Sequence, residues 1–206
     1  MDLQKKTLGA TERDEEARSA WRELLRSVDP RRLVFVDESS TNIALCPRYA
    51  RAPKGERAYG RAPRNWGKNV TLISSITLSG MGPSMSIEGS SDTESFGLYL
   101  RDVLCPRLKA GQIVIMDNLS VHKSSFVREL IEERGCQLWL LPSYSPDFNP
   151  IEEAFSKVKG LLRKAKARTL EALFEATRQA LGAVSSEDAR GFFEHCGYGT
   201  LQGHLI

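Results

Sequence analysis

Cysteines are few, and none stands in the spacing that metal ribbons or redox motifs use. Cys46, Cys105, Cys136 and Cys196 are scattered along the chain with no CxxC among them. That argues against structural zinc and makes a reduced cytosolic setting the simplest expectation. Long hydrophobic runs are missing as well. No stretch approaches the roughly 18 apolar residues that a bilayer-spanning helix needs, and the opening MDLQKKTLGATERDEE is too polar for a signal peptide. There are no internal repeats and no low-complexity tracts. These absences predict a soluble intracellular protein with no membrane partner. Its 206 residues, 41% of them hydrophobic, suffice for one good core and suggest one domain with at most a small appendage.

Net charge is small, +3 at neutral pH, yet the basic residues are bunched. Arg48, Arg51, Lys54, Arg57, Arg61, Arg64 and Lys68 face a single acid, Glu56, and are interleaved with Tyr49, Tyr59 and Trp66 as well as with prolines and glycines. Without any periodicity, this tract reads as a long basic loop whose rings can stack on nucleobases. A second tract holds Lys157, Lys159, Arg163, Lys164, Lys166 and Arg168 with no acid, on a helix whose other face is apolar. Two such tracts predict a polyanionic partner, although a basic helix face can equally be an ordinary solvated one.

Along the chain, Thr11 is placed to cap a helix whose apolar positions Trp21, Leu24, Leu25 and Val28 keep helical spacing until Pro30. LVFVDES predicts a strand ending at Asp37. TLISSITLSG and SMSIEG predict two more strands, joined by a turn at Gly80 and Gly82, and the three together suggest an antiparallel meander. A capped helical pattern follows in SDTESFGLYLRDVLCPRL, then a strand in QIVIMDN ending at Asp117, a helix in SSFVRELIEERG and a strand in CQLWLLP. That alternation implies an α/β layer. Ile151, Ala154, Phe155, Val158, Leu161 and Leu162 then mark one apolar helical stripe, and two further helices follow in LEALFEATRQALGAV and SSEDARGFFEHC.

The segment YSPDFNPIEEAF poses a question of chemistry, because two glutamates open a helix immediately after a rigid loop. Capping is one answer: Asn149 suits the N-cap, Pro150 the first helical position, and Glu152 the third, near the positive end of the dipole. Metal binding is the other. Asp37 and Asp117 each close an apolar strand, where open α/β sheets place their sites. With Glu152 they offer three hard oxygen donors of the kind Mg²⁺ takes. Three carboxylates can hold two ions about 3.5–4 Å apart for in-line phosphodiester displacement. Helix geometry scarcely separates Glu152 from Glu153, and Glu153 has an i, i+4 partner available in Lys157. His195 and Cys196 are expected only to finish a helix.

Taken together, VFVDES, MDNLSVHK and LPSYSPDFNPIEEAF resemble the catalytic domain of the DDE transposases of the mariner-like superfamily, and within it the bacterial insertion-sequence branch. The resemblance runs from about Lys5 to FFEHCGY, and the 34 residues between Asp117 and Glu152 match the spacing of that superfamily. It implies an α/β, ribonuclease H-like fold, a mixed five-stranded sheet flanked by helices with its first three strands antiparallel. Asp37, Asp117 and Glu152 become the catalytic and metal-holding triad, which decides for Glu152 over Glu153. The implied cofactor is Mg²⁺, with Mn²⁺ as a substitute, two ions per site. The implied activity is cleavage at transposon ends and transfer of the freed 3′-hydroxyl into target DNA, commonly at TA, by a homodimer. DNA contacts are expected from both basic tracts and from His122 and Lys123 of the matching MDNLSVHK segment, where His122 either meets phosphate or holds the loop. Residues 1–30 are expected to form a lead-in helix and residues 31–206 the catalytic domain. Relatives carry helix-turn-helix modules ahead of this domain, so the chain resembles the catalytic part alone, be it truncated, decayed or the second product of a split frame. A bacterial, cytoplasmic, nucleoid-associated location follows. The alternatives are another ribonuclease H-like nuclease or a domesticated DNA-binding protein without activity.

Overall fold

The computed structural model describes residues 11–47, 49–119 and 121–199. Its centre is a five-stranded sheet in the order β3-β2-β1-β4-β5. The strands are β1 (Leu33–Thr41), β2 (Val70–Thr77), β3 (Gly80–Glu88), β4 (Ile113–Met116) and β5 (Gln137–Leu140). β1, β2 and β3 pair antiparallel, whereas β4 joins β1 and β5 joins β4 in parallel. The parallel half requires crossovers, and helices provide them.

Alternation along the strands explains why LVFV and IVIM are apolar throughout. Successive side chains point to opposite faces, and here both faces are covered. Leu33, Phe35, Ile113 and Ile115 pack on one side with α1 (Glu15–Leu25), α4 (Pro150–Ala165), α5 (Leu170–Gly182) and α6 (Ser186–His195). Val34, Val36, Val114 and Met116 pack on the other, against α2 (Thr93–Leu98), the helical segment that continues it, and α3 (Ser125–Glu132). That continuation is not α-helical: Tyr99–Leu104 is a π-helix and Cys105–Arg107 a 3₁₀ turn. The buried Tyr99 hydroxyl donates to the Pro83 carbonyl at 2.9 Å, which ties this segment to β3.

Several local expectations change. The cap of α1 is Asp14, whose carboxylate accepts from the Ala17 N–H, while Thr11 bonds Glu12 instead. Gly80 makes the turn with φ of 115°, but Gly82 lies inside β3, against Ser75 where the β2–β3 register shifts. β1 does not end at Asp37. It runs to Thr41 because β2 continues to pair with it after β4 has stopped.

α1 is part of the core. Trp21 is 7% exposed and its indole N–H donates to the Tyr198 hydroxyl, which in turn donates to the Phe148 carbonyl at 2.6 Å. Arg18, 2% exposed, donates twice to Asp147, at 3.0 and 2.6 Å, with its guanidinium 4.2 Å from the Phe148 ring. Arg18 and Tyr198 therefore brace the loop that enters α4. No helix among the described residues is long and apolar enough to cross a membrane.

Candidate active site

β1 and β4 run in parallel with Leu33, Val34 and Phe35 level with Ile113, Val114 and Ile115. The pairing stops at Phe35 and Ile115, and two residues beyond it on each chain segment stand Asp37, still in β1, and Asp117, just past the end of β4. α4 crosses this end of the sheet with Glu152 in its first turn. All three carboxylates line one cavity of about 390 Å³, together with Asn118, Leu119 and the loop from Leu141 to Pro146.

Asp37 is the most enclosed of the three, at 9% exposure. Its Oδ1 accepts the Glu38 N–H at 2.7 Å, and its Oδ2 accepts Asn149 Nδ2 at 2.8 Å. Burial pushes its pKa up to about 7, with the negative charges of Glu152 and Asp117 adding to the rise and the Glu38 N–H opposing it. A carboxylate held this way is short of positive charge in its surroundings. Glu38, the next residue, is also raised, again chiefly by burial.

Asn149 has the backbone of an N-cap, but its side chain makes no capping bond because it turns inward to Asp37. Its Oδ1 is buried without a hydrogen-bond partner. The loop before it is fixed by Arg18–Asp147, by Tyr198 on the Phe148 carbonyl, and by Asn118 Nδ2, which donates to Ser143 Oγ at 2.8 Å. Tyr144, on the cavity wall, holds a positive φ of 54°.

The neighbouring candidates fall elsewhere. Glu153 does not pair with Lys157: its carboxylate meets His195 Nδ1, and Lys157 is taken by Asp188. Both partners come from α6, so helical spacing alone could not reveal them. His122 is 1% exposed, with Nδ1 2.6 Å from Asp117 Oδ1, which fits the loop-holding alternative and not a phosphate contact. Lys123 is exposed.

Arg48 lies outside the described residues. Arg51, Lys54, Arg57, Arg61, Arg64 and Lys68 are all exposed in a segment with no helix or strand, alongside Tyr49 at 91% and Tyr59 at 90% exposure. Lys68 bridges to Glu88 at 3.4 Å. In the second tract, Lys159 is half-buried, and Arg168 donates to the carbonyls of Ile43 and Leu45, so it anchors the root of the basic loop.

Against known proteins, residues 32–174 match the family described as DDE superfamily endonuclease. The chain belongs to the DDE endonuclease superfamily. It is 26% identical over 161 residues to the transposable element Tc1 transposase of Caenorhabditis elegans, covering 73% of this chain and 59% of that protein. The chain thus spans about three-fifths of that relative's length. Among solved structures, the Mos1 transposase paired-end complex with left transposon end superposes with a TM-score of 0.74 at 19% identity, over 95% of this chain and 64% of the other. The catalytic domain of Mos1 mariner transposase, matched over 93% of this chain and 92% of its own length, gives 0.63 at 16% identity. The fold of this DDE endonuclease domain is ribonuclease H-like.

Proposed function

We propose that this DDE endonuclease domain is the catalytic part of a transposase, cutting DNA at transposon ends and transferring the freed 3′-hydroxyl into target DNA. The observation that carries the reading is that Asp37 in β1, Asp117 just after β4 and Glu152 in α4 line one cavity.

Divalent ions fit this donor set. The three side chains are hard oxygen donors, burial and mutual repulsion raise Asp37, and Asn149 Oδ1 is a buried oxygen without a partner beside it. Among the described residues no three potential ligands already converge on one point, so the carboxylates stand around the cavity wall. Asp37, Asp117 and Glu152 would hold Mg²⁺, or Mn²⁺ in its place, at two ions per site. Such ions supply activation of the attacking oxygen and charge stabilisation at the leaving one. Mos1 paired-end complexes have been solved with Mn and with Mg, which supports the same choice here.

The chain's own residues orient this chemistry. Asn149 fixes the rotamer of Asp37, and the braced loop fixes the first turn of α4 and with it Glu152. In cleavage, water attacks the phosphorus, the P–O3′ bond breaks and the 3′-oxygen leaves with a proton. In transfer, that 3′-hydroxyl attacks a target phosphodiester, the target P–O3′ bond breaks, and the displaced 3′-oxygen leaves with the proton the attacking hydroxyl gives up. The exposed basic loop from Arg51 to Lys68, with Lys123, would follow the phosphate backbone. Tyr49 and Tyr59 stand free to stack on bases. Contacts to about four to six phosphates would make binding nearly sequence-blind, with a log–log salt slope of roughly −4 to −5.

The wider assembly belongs to the same reading. The catalytic domain takes in α1 as well as residues 31–206, since Trp21 is part of its core, a separate helix-turn-helix module reads the terminal repeats, two copies form the working complex, and TA is the target. A bacterial insertion sequence, with the protein at the nucleoid, is the expected source. The test is cleavage and joining on duplexes that carry the flanking repeats, with Mg²⁺ and with Mn²⁺. Both reactions should require metal, and Asp117→Asn or Glu152→Gln should abolish them without loss of DNA affinity. Cleavage that survives Asp117→Asn overturns the triad, and cutting without end joining points to a nuclease of another class.

A further inference from the structure

His122 is buried to 1% exposure on a 3₁₀ turn (Val121–Lys123) just after Asp117, and it is held from several sides. Its backbone N–H donates to the Leu119 carbonyl at 3.1 Å and closes the turn. One ring edge carries Nδ1, 2.6 Å from Asp117 Oδ1 and 3.3 Å from the Asp117 carbonyl. The other carries Nε2, 3.6 Å from Glu38 Oε2. The ring face lies on Phe96, with centroids 4.5 Å apart and planes inclined by 39°. Phe96 is itself fully buried, so the imidazole has a rigid bed.

Both oxygens facing Nδ1 are acceptors, so this nitrogen carries the proton and donates it. Asp117 Oδ1 also accepts the Leu119 N–H at 3.2 Å. One oxygen of Asp117 is therefore engaged twice by the protein. Its other oxygen makes no hydrogen bond with any described residue, while the side chain remains 38% exposed on the cavity.

We infer that His122 is a positioning residue: it clamps Asp117 Oδ1 inward so that Oδ2 is presented to the cavity. Glu38, adjacent to Asp37 in β1, bounds the far side of the same ring. The imidazole therefore spans from the β4 loop to β1 and links the surroundings of both aspartates. This inference rests on the proposed function, since it gives Asp117 the work of holding a divalent ion. A histidine buried in this way does not reach DNA. Partners that fix a ligating carboxylate commonly matter 10–100-fold in metal affinity or activity.

The test uses three variants of this chain. His122→Phe keeps an aromatic ring on Phe96 but removes the donor, whereas His122→Asn and His122→Gln keep an N–H donor. Mn²⁺ alone is titrated into each free protein by calorimetry, and melting temperature, DNA affinity with its salt slope, and cleavage rate are measured alongside. His122→Phe should remain folded, bind Mn²⁺ 10–100-fold more weakly, lose kcat, and keep its DNA affinity and salt slope. The better-fitting of the two amide variants should recover most of the Mn²⁺ affinity. If the Phe variant does not fold, the difference between the two amide variants and the wild type carries the same test. Unchanged Mn²⁺ affinity in His122→Phe overturns the inference, as does a loss of DNA affinity with Mn²⁺ binding intact. The reading beneath it fails differently: Asp117→Asn then binds Mn²⁺ as tightly as the wild type.

Discussion

Asp147→Asn is expected to be among the most damaging single changes outside the cavity. Arg18 is buried, and its guanidinium donates two hydrogen bonds to Asp147, has Nε 3.5 Å from Glu15, and lies over the Phe148 face. Removing one partner of a fully buried ion pair costs about 3–5 kcal/mol, because the other charge is left uncompensated. Asp147 is 47% exposed, so water softens the loss, and Glu15 and the ring retain part of the attraction. A loss of about 2–3 kcal/mol remains. With a urea slope of about 2 kcal/mol/M for a domain of this size, the unfolding midpoint should fall by roughly 1 M. Two controls sharpen the test. Arg18→Met combined with Asp147→Asn should recover much of the loss, because a buried pair is often replaceable by apolar packing. The second control is pH: the Arg18 hydrogen bonds hold the Asp147 carboxyl below the usual range. Its contribution is therefore complete above about pH 4 and disappears as pH falls through the lower folded-state pKa. Wild-type and variant curves should converge in acid. A midpoint shift under about 0.2 M, or a double variant as unstable as the single one, would refute the reasoning.

Three further outcomes are expected. Lys166 ends α4 in the left-handed region with φ of 51°, so Lys166→Gly should raise stability by about 0.5–1 kcal/mol in a thermal melt; a lower Tm would contradict this. A Cβ on Gly82 would sit 2.3 Å from Ser75 Oγ, so Gly82→Ala should cost about 1–3 kcal/mol and Ser75→Ala should restore most of it, as chemical denaturation would reveal. Glu153→Gln should leave cleavage within a few-fold of wild type while lowering the pKa of His195 toward its ordinary value, because the Glu153 hydrogen bond is what raises it; an NMR titration with no shift would mean that the pair does not form in solution.

Much of this architecture could be read from residue pattern. LVFV and IVIM declared buried strands because both sheet faces are covered, and the motifs around Asp37, Asp117 and Glu152 marked the cavity. What stayed hidden depends on partners distant in sequence. Local spacing offered Lys157 to Glu153, but α6 supplies Asp188 and His195 to the same surface and takes both. Asn149 looked like a cap, since nothing in its neighbourhood says that a carboxylate 112 positions earlier will claim its side chain. Asp37 looked terminal because its apolar run stops there, although β2 pairs on through polar Glu38, Ser39 and Ser40. The π-helix at Tyr99–Leu104 left no trace in the apolar spacing. α1 read as a lead-in, yet its Trp21 is core, bonded to Tyr198 and packed edge-on against Trp139, both far away in sequence.

The bracing of the α4 loop by residues as far apart as Arg18 and Tyr198 has a consequence for the newborn protein. Asp37 leaves the ribosome before Asp117, and the Tyr198 hydroxyl that holds the Phe148 carbonyl follows both. Contacts of such long range form only after the intervening chain has been closed into loops. A nascent or prematurely terminated polypeptide therefore has the carboxylates without the rigid corner that aims them. The corner that orients α4 is therefore completed only once Tyr198 has been made, well after all three carboxylates are in the chain.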